Sequence, residues 1–308
     1  MDNESSTVFD RIQRIKKVNF SLHEQSKIRI EECNLCGSRD FIILTKKDRY
    51  DFVNNAYACR DCGLVFLNPV MTSEACREFY KNDYRKLVSA YHGKEISADT
   101  LFEEQEVYGK ELCGFMEPFV RGRELKSLLD IGGSTGVVTN EFVVKFNLEG
   151  TVLDSAPLEI DKAKQFGFKT ITKMLSEIRE EQQHKYDIII MCQTIDHLLD
   201  IAADLHKTRE MISDHGLFFV DILDFRAVYL QENSIQKSVK LDHPFYLTEH
   251  TIEAYLKKSG FKILRSEHVK NHVGYLCRPC IPDKHYLPEK HSISEMFREI
   301  RYIQNNHA

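Results

Sequence analysis

From Lys126 onward, short apolar runs alternate with segments whose apolar residues fall three or four apart. The runs Ser127–Ile131, Thr151–Leu153, Tyr186–Met191 and Leu217–Asp221 have the length of strands. Between them, Val137–Phe146, Leu158–Phe166 and Ile201–Ile212 carry the helical period. That order predicts a parallel sheet covered on both faces, since parallel neighbours need a crossover of helix length. The rhythm then changes: a helix over Thr248–Ser259 stops at Gly260, and two strands follow, Lys262–His268 and His272–Leu276.

The first 125 residues read differently. A short amphipathic pattern (Val8, Phe9, Ile12, Ile15) predicts a surface helix, and residues 31–70 hold the strand-like runs Phe41–Leu44 and Leu64–Leu67. Residues 73–119 read as helices, with Leu101, Tyr108, Leu112, Phe115 and Phe119 at helical spacing. The expected layout is therefore an extension (1–30), a compact module (31–70), a helical linker or lid (71–120), the α/β domain (121–281) and a tail (282–308).

Composition narrows the class. With 42% hydrophobic and 29% charged residues in 308, the chain is too apolar for a disordered protein. A net charge of −5 lacks the basic surface of a nucleic-acid binder, and the longest apolar stretches are strand-sized. The opening Met-Asp-Asn-Glu-Ser-Ser has no basic-then-apolar layout, so a soluble cytoplasmic protein with no membrane span is expected.

Nine cysteines are many for that compartment, where thiols stay reduced. Four are paired as Cys33-x2-Cys36 and Cys59-x2-Cys62, with Gly37 and Gly63 following each pair. A two-residue spacer lets both thiolates of a knuckle face one ion, and two knuckles complete a tetrahedron. Four protein ligands leave no position open for substrate, so a structural Zn2+ is expected. A third pair, Cys277 and Cys280 between His272 and His285, is read as two reduced thiols in a turn rather than a second metal site. Cys76, Cys113 and Cys192 stand alone and read as small buried residues.

Where the first strand passes into a helix stands Asp130-Ile131-Gly132-Gly133-Ser134-Thr135-Gly136. The dinucleotide fingerprint fails here, because its second and third glycine positions are Ser134 and Val137. Asp-x-Gly-x-Ser-x-Gly instead resembles the first motif of class I S-adenosylmethionine-dependent methyltransferases, with Ser134 replacing the middle glycine. An acid suits that ligand, which brings an ammonium and a sulfonium rather than a pyrophosphate. Asp154, ending the second strand, sits where an acid binds ribose hydroxyls. The family's acid after the third strand is absent; Lys173-Met174-Leu175 stands there, so Met174 packing and backbone groups are expected to hold adenine. Gln193-Thr194-Ile195-Asp196-His197-Leu198, after the fourth strand, resembles the Leu-Glu-His-Leu/Val segment of members that act on small molecules. The resemblance spans 126–278 and implies a Rossmann-like seven-stranded sheet with an antiparallel edge hairpin. It also implies a cofactor site of Asp130, Gly132, Gly133, Ser134, Gly136, Asp154, Met174 and Gln193.

A four-cysteine module beside such a domain is similar to bacterial methyltransferases of nucleotide-linked sugars and surface-polysaccharide precursors. Cys59-Arg-Asp-Cys62-Gly63 through Pro69, and Leu241-Asp242-His243-Pro244-Phe245-Tyr246-Leu247-Thr248-Glu249-His250, carry that likeness. Deoxysugar C-methyltransferases of this type have a further C-terminal domain where this sequence has its tail, so O- or N-methylation is expected ahead of C-methylation. His197 and His243 are the candidate general bases, histidine titrating near working pH. Tyr84, Tyr246 and His250 are candidate substrate contacts; Tyr80 and Tyr91 could join Tyr84 in a helical lid. Two other readings stay open: an RNA methyltransferase that grips RNA through the cysteine module, and a non-catalytic protein that binds cofactor or partner. The first predicts a basic stripe over 31–70, where charges are only scattered.

Overall fold

A computed structural model of the chain describes residues 2–97, 99–179 and 185–307. The chain divides into two compact units, and both are discontinuous. One comprises Met1–Thr100, Phe225–Tyr246 and Glu289–Ala308; the other comprises Leu101–Asp224 and Leu247–Pro288.

The second unit holds the predicted sheet. Its seven strands run across in the order Phe261–Val269, His272–Pro279, Ile212–Leu223, Tyr186–Met191, Ser127–Ile131, Glu149–Asp154, Lys169–Thr172. The last five named are parallel to one another, and His272–Pro279 runs against both of its neighbours, which makes the expected edge hairpin. Leu128, Ile188, Ile189, Ile190, Phe218 and Val220 are fully buried, as strands covered on both faces require. On one face, Leu112 and Met116 from the helix Phe102–Val120 and Phe142 from the helix Val137–Phe146 pack over Leu128, Ile190 and Phe219. The order reverses between Ser127–Ile131 and Tyr186–Met191, whose crossovers leave toward opposite sides. Open α/β sheets bind ligands beyond the strand ends at such a point.

The first unit is built on a four-stranded antiparallel sheet: Phe245–Tyr246, Val65–Leu67, Val53–Cys59 and Phe41–Lys47. Its apolar core joins Leu44, Ala56, Val65 and Leu67 to Phe225, Tyr229 and Tyr246, and to Met296, Ile300 and Ile303. Residues 282–308, expected as a tail, thus contain a helix, Lys290–His307, that completes this core. Arg226 pairs with Glu299 and Glu295, and the Tyr229 hydroxyl donates to Glu299 at 2.6 Å, which anchors that helix further. Within residues 71–120, expected as one helical linker, the helices Ser73–Asn82 and Tyr84–His92 belong to this unit and Phe102–Val120 to the other. The N-terminal helix spans Asp2–Lys17 and buries Ile15; the side chains of Val8 and Phe9 lie outside the described residues.

Candidate functional site

The glycine loop opens where Ser127–Ile131 ends. Gly132 and Gly136 have φ of 74° and 78°, a region that favours glycine. A Cβ on Gly132 would stand 2.3 Å from Thr194 Oγ1, and one on Gly133 would stand 2.6 Å from the Asp130 carboxyl carbon. Ser134 has φ of 49°; its amide donates to Asp154 at 3.0 Å and its hydroxyl to Glu159 at 3.2 Å. The second Asp154 oxygen accepts the Ala156 amide at 2.8 Å, so this carboxylate ties the glycine loop to the turn after the second strand.

Asp130 is buried, and its carboxylate accepts the Thr139 hydroxyl at 2.7 Å. Burial pushes its carboxyl up to about 7, with Thr139 opposing and Asp154 adding to the shift. Asp221, near the end of its strand, was not foreseen as a site residue. It accepts the Gln193 amide at 2.5 Å and the Tyr108 hydroxyl at 3.1 Å, and burial pushes it up to about 6. Gln193 is exposed with φ of 49°, so the Asp221 contact holds its turn in the left-handed region. Asp221 was legible as the acid ending an apolar run; Tyr108 carried no such signal. The Thr135 hydroxyl donates to Gln105 at 3.2 Å. The loop is thus bordered by carboxylates from three strand ends, Asp130, Asp154 and Asp221, a setting that favours a cation over a pyrophosphate.

Of the other expected residues in this unit, Met174 is half-buried, and its amide donates to Glu177 at 2.8 Å. His197 closes a short 3-10 turn, its amide donating to the Thr194 carbonyl at 3.0 Å, with the neighbouring Asp196 carboxylate accepting the Leu223 amide at 3.2 Å. His250 is exposed on the helix Glu249–Lys258. His243, Tyr246 and Tyr84 belong to the first unit. His243 is buried beside Asp242, Nε2 to Oδ2 3.9 Å. Tyr246 is buried, and its hydroxyl is taken by the backbone N–H and carbonyl of Lys240, at 2.7 and 2.6 Å, so it closes its own loop. Tyr84 is half-buried, its ring 5.0 Å from that of Tyr80.

The four cysteines converge in the first unit. Their sulfurs all lie within 4.8 Å of one another, with Cys33–Cys62 and Cys36–Cys59 each at 3.5 Å. Zinc–thiolate bonds of about 2.3 Å place tetrahedral sulfurs roughly 3.8 Å apart, so this donor set fits the ion. Gly37 and Gly63, with φ of 76° and 78°, return their amides to Cys33 and Cys59 at 2.8 and 3.0 Å and close each knuckle.

Comparison with known proteins agrees with the sheet. The model of the family described as "Methyltransferase domain" matches residues 104–266. Among solved structures, the chain is similar to a 1,6-didemethyltoxoflavin-N1-methyltransferase from Burkholderia thailandensis with bound substrate and S-adenosylhomocysteine. Identity is 15%, covering 71% of this chain and 96% of that one, at a TM-score of 0.50. It is also similar to an S-adenosylmethionine-dependent methyltransferase from Clostridium acetobutylicum ATCC 824, 15% identical over 67% of this chain and 100% of that one, TM-score 0.46. At 15% identity the first of these speaks to the fold alone. Among curated proteins, none matches the chain significantly. With a family match over more than half of its length, on the sheet that carries the glycine loop, the chain belongs to the methyltransferase-domain family and is a class I S-adenosylmethionine-dependent methyltransferase.

Proposed function

We propose that the enzyme methylates an oxygen or nitrogen of a small-molecule acceptor, a sugar, nucleotide-linked sugar or surface-polysaccharide precursor. The observation that carries the donor side is the acid-bordered glycine loop at the reversal of strand order. Asp154, aimed by the amides of Ser134 and Ala156, takes the ribose hydroxyls, since a carboxylate oxygen accepts more than one hydrogen bond. Asp130 and the small residues of its loop receive the cationic amino-acid end, Gln193 borders it, and Met174 packs on the base. S-adenosylmethionine supplies a methyl carbon already activated by its sulfonium. The protein's task is then alignment, exclusion of water and removal of the acceptor proton, for which His197 and His243 are the candidate bases. Tyr84, Tyr246 and His250 are proposed on the acceptor side, Tyr246 through the loop it closes. Zn2+ on Cys33, Cys36, Cys59 and Cys62 holds the knuckles together and has no part in the transfer.

The acceptor class rests on the likeness of the cysteine module and the 241–250 loop to sugar methyltransferases. The test is transfer of labelled methyl from S-adenosylmethionine into two pools, nucleotide sugars and total RNA. Label in the sugar pool is expected. Label in RNA alone would overturn the acceptor class and recast the cysteine module as an RNA grip. No label in either pool, with cofactor binding intact, would point to a larger glycan or to a binding role.

A further inference from the structure

The first unit contains a second polar cluster, built around the turn after its strand Phe41–Lys47. Asp48 is fully buried there, and its carboxylate accepts the amides of Tyr50 and Phe52 at 2.9 and 3.1 Å, which fixes the turn. The Arg49 amide donates to the Val239 carbonyl at 2.7 Å, so the backbone on both sides of the guanidinium is held.

The guanidinium itself packs against an edge-to-face pair of aromatic rings, 4.3 Å from the centre of Tyr91 and 5.0 Å from that of Tyr50. One of its terminal nitrogens donates to the Tyr50 hydroxyl at 2.9 Å. Arg11, from the N-terminal helix, lies 4.5 Å over the Tyr91 ring. The Nε atoms of both arginines are buried and have no hydrogen-bond partner among the described residues.

Lys240, mostly buried, pairs with Asp242 at 3.3 Å. Arg49, Lys94, Arg11 and Lys240 all act on His92, which burial first and these cations next hold below its ordinary value. Of these cations Lys94 is exposed and Lys240 is taken by Asp242, the anion that also acts on Arg49, so Arg49 and Arg11 are left to carry the site. Two buried guanidinium nitrogens without acceptors are costly unless an anion completes them.

We infer that the Arg49–Arg11 cluster binds the phosphate group of a small-molecule ligand. A guanidinium presents a rigid fork that matches phosphate oxygens, and here the tyrosines hold it in place before the ligand arrives. The cluster shares no residue with the glycine loop or the cysteine site, and the inference goes beyond the proposed methyl acceptor, because it concerns binding alone.

The test is calorimetric titration of the full-length protein in chloride buffer with pyrophosphate, uridine diphosphate and uridine. Saturable binding of pyrophosphate or of uridine diphosphate, and none of uridine, is expected. Arg49→Gln should weaken that binding at least tenfold while leaving S-adenosylhomocysteine binding unchanged. Arg11→Gln, on a helix outside the sheet, keeps the test open if the Arg49 variant does not fold, and should weaken binding severalfold. Equal affinity for pyrophosphate and uridine diphosphate supports a site that needs phosphate only; tighter binding of the nucleotide supports a phosphate site with the nucleoside adding contacts. Absence of saturable binding by the unaltered protein, or binding unchanged in the folded variants, would overturn the inference. Because S-adenosylhomocysteine is titrated into the same samples, loss of the phosphate site and failure of the methyltransferase reading are separable.

Discussion

Replacing Asp130 by asparagine keeps the shape of the side chain and removes its titration. The carboxyl is 2% exposed, and burial lifts it from an ordinary 3.8 to about 7 in the folded chain. The native state therefore holds this proton to higher pH than the unfolded chain does. Its contribution to stability is whole below the unfolded value and is lost as pH rises through the folded one. At ~1.4 kcal/mol per factor of ten in proton affinity, the rise from 3.8 to about 7 amounts to roughly 4 kcal/mol in full, of which about 3 kcal/mol falls between pH 4.5 and pH 8. Urea denaturation of both proteins at those two pH values measures it. Any fixed cost of the amide, such as an imperfect bond to Thr139, is the same at both, and the other buried aspartates cancel in the difference. Asp130→Asn should therefore gain about 3 kcal/mol on the unaltered protein between pH 4.5 and pH 8. A cationic ligand beside Asp130 would also draw off its proton, so S-adenosylmethionine should bind more tightly as pH rises through 7, and less steeply in the variant. A stability gap that does not move with pH would refute the burial argument.

Asp154→Ala removes the acceptor of the Ser134 and Ala156 amides together with the proposed ribose contact. S-adenosylhomocysteine should bind at least tenfold more weakly by calorimetry, with stability lower by about 1–3 kcal/mol for the amides left behind; unchanged affinity would remove the residue from the site. Cys36→Ser should abolish stoichiometric zinc in metal analysis of the purified protein and lower the melting temperature, since a structural ion contributes folding energy directly. Undiminished zinc would show that the four sulfurs do not form the site.

The sequence made local features legible and hid the long-range ones. The strands Ser127–Ile131 and Tyr186–Met191 were expected with the bounds they have, because strands buried on both faces read as near-continuous apolar runs, here Leu128-Leu129 and Ile188-Ile189-Ile190-Met191. Both cysteine knuckles and the glycine loop were visible because a short spacing fixes their geometry. Lys169–Thr172, four residues with no fully buried side chain, left no comparable mark. Met296, Ile300 and Ile303 do line one helical face, but nothing local says that they cover Val65 and Leu67, more than two hundred residues earlier. The same holds for Phe245–Tyr246, which interrupts the α/β region to become the edge strand of the other unit's sheet. Charge state was also hidden: nothing in the sequence around Asp130 says that burial holds its proton.

The one departure from the usual loop motif follows from what each position touches. A Cβ at Gly132 would collide with Thr194, a branched side chain from the turn after the neighbouring strand, and one at Gly133 with the Asp130 carboxyl. At Gly136 a Cβ would meet Phe168 and Ala163 at 3.1 and 3.2 Å, with a left-handed φ in addition. These glycines let two strand ends and a helix close on one another, so their absence of a side chain is a packing requirement before it is a matter of ligand approach. Ser134 is under a different constraint. Its φ of 49° costs a non-glycine residue about 1–2 kcal/mol, but its amide meets Asp154 and its hydroxyl meets Glu159. The amide bond would survive in glycine, so the hydroxyl bond to Glu159 is what serine adds, and a hydrogen bond contributes an amount comparable to that strain, about 0.5–1.5 kcal/mol. Glycine at this position would relieve the backbone and lose the Glu159 contact, which is why serine can stand in the middle of a motif whose flanking glycines have no substitute.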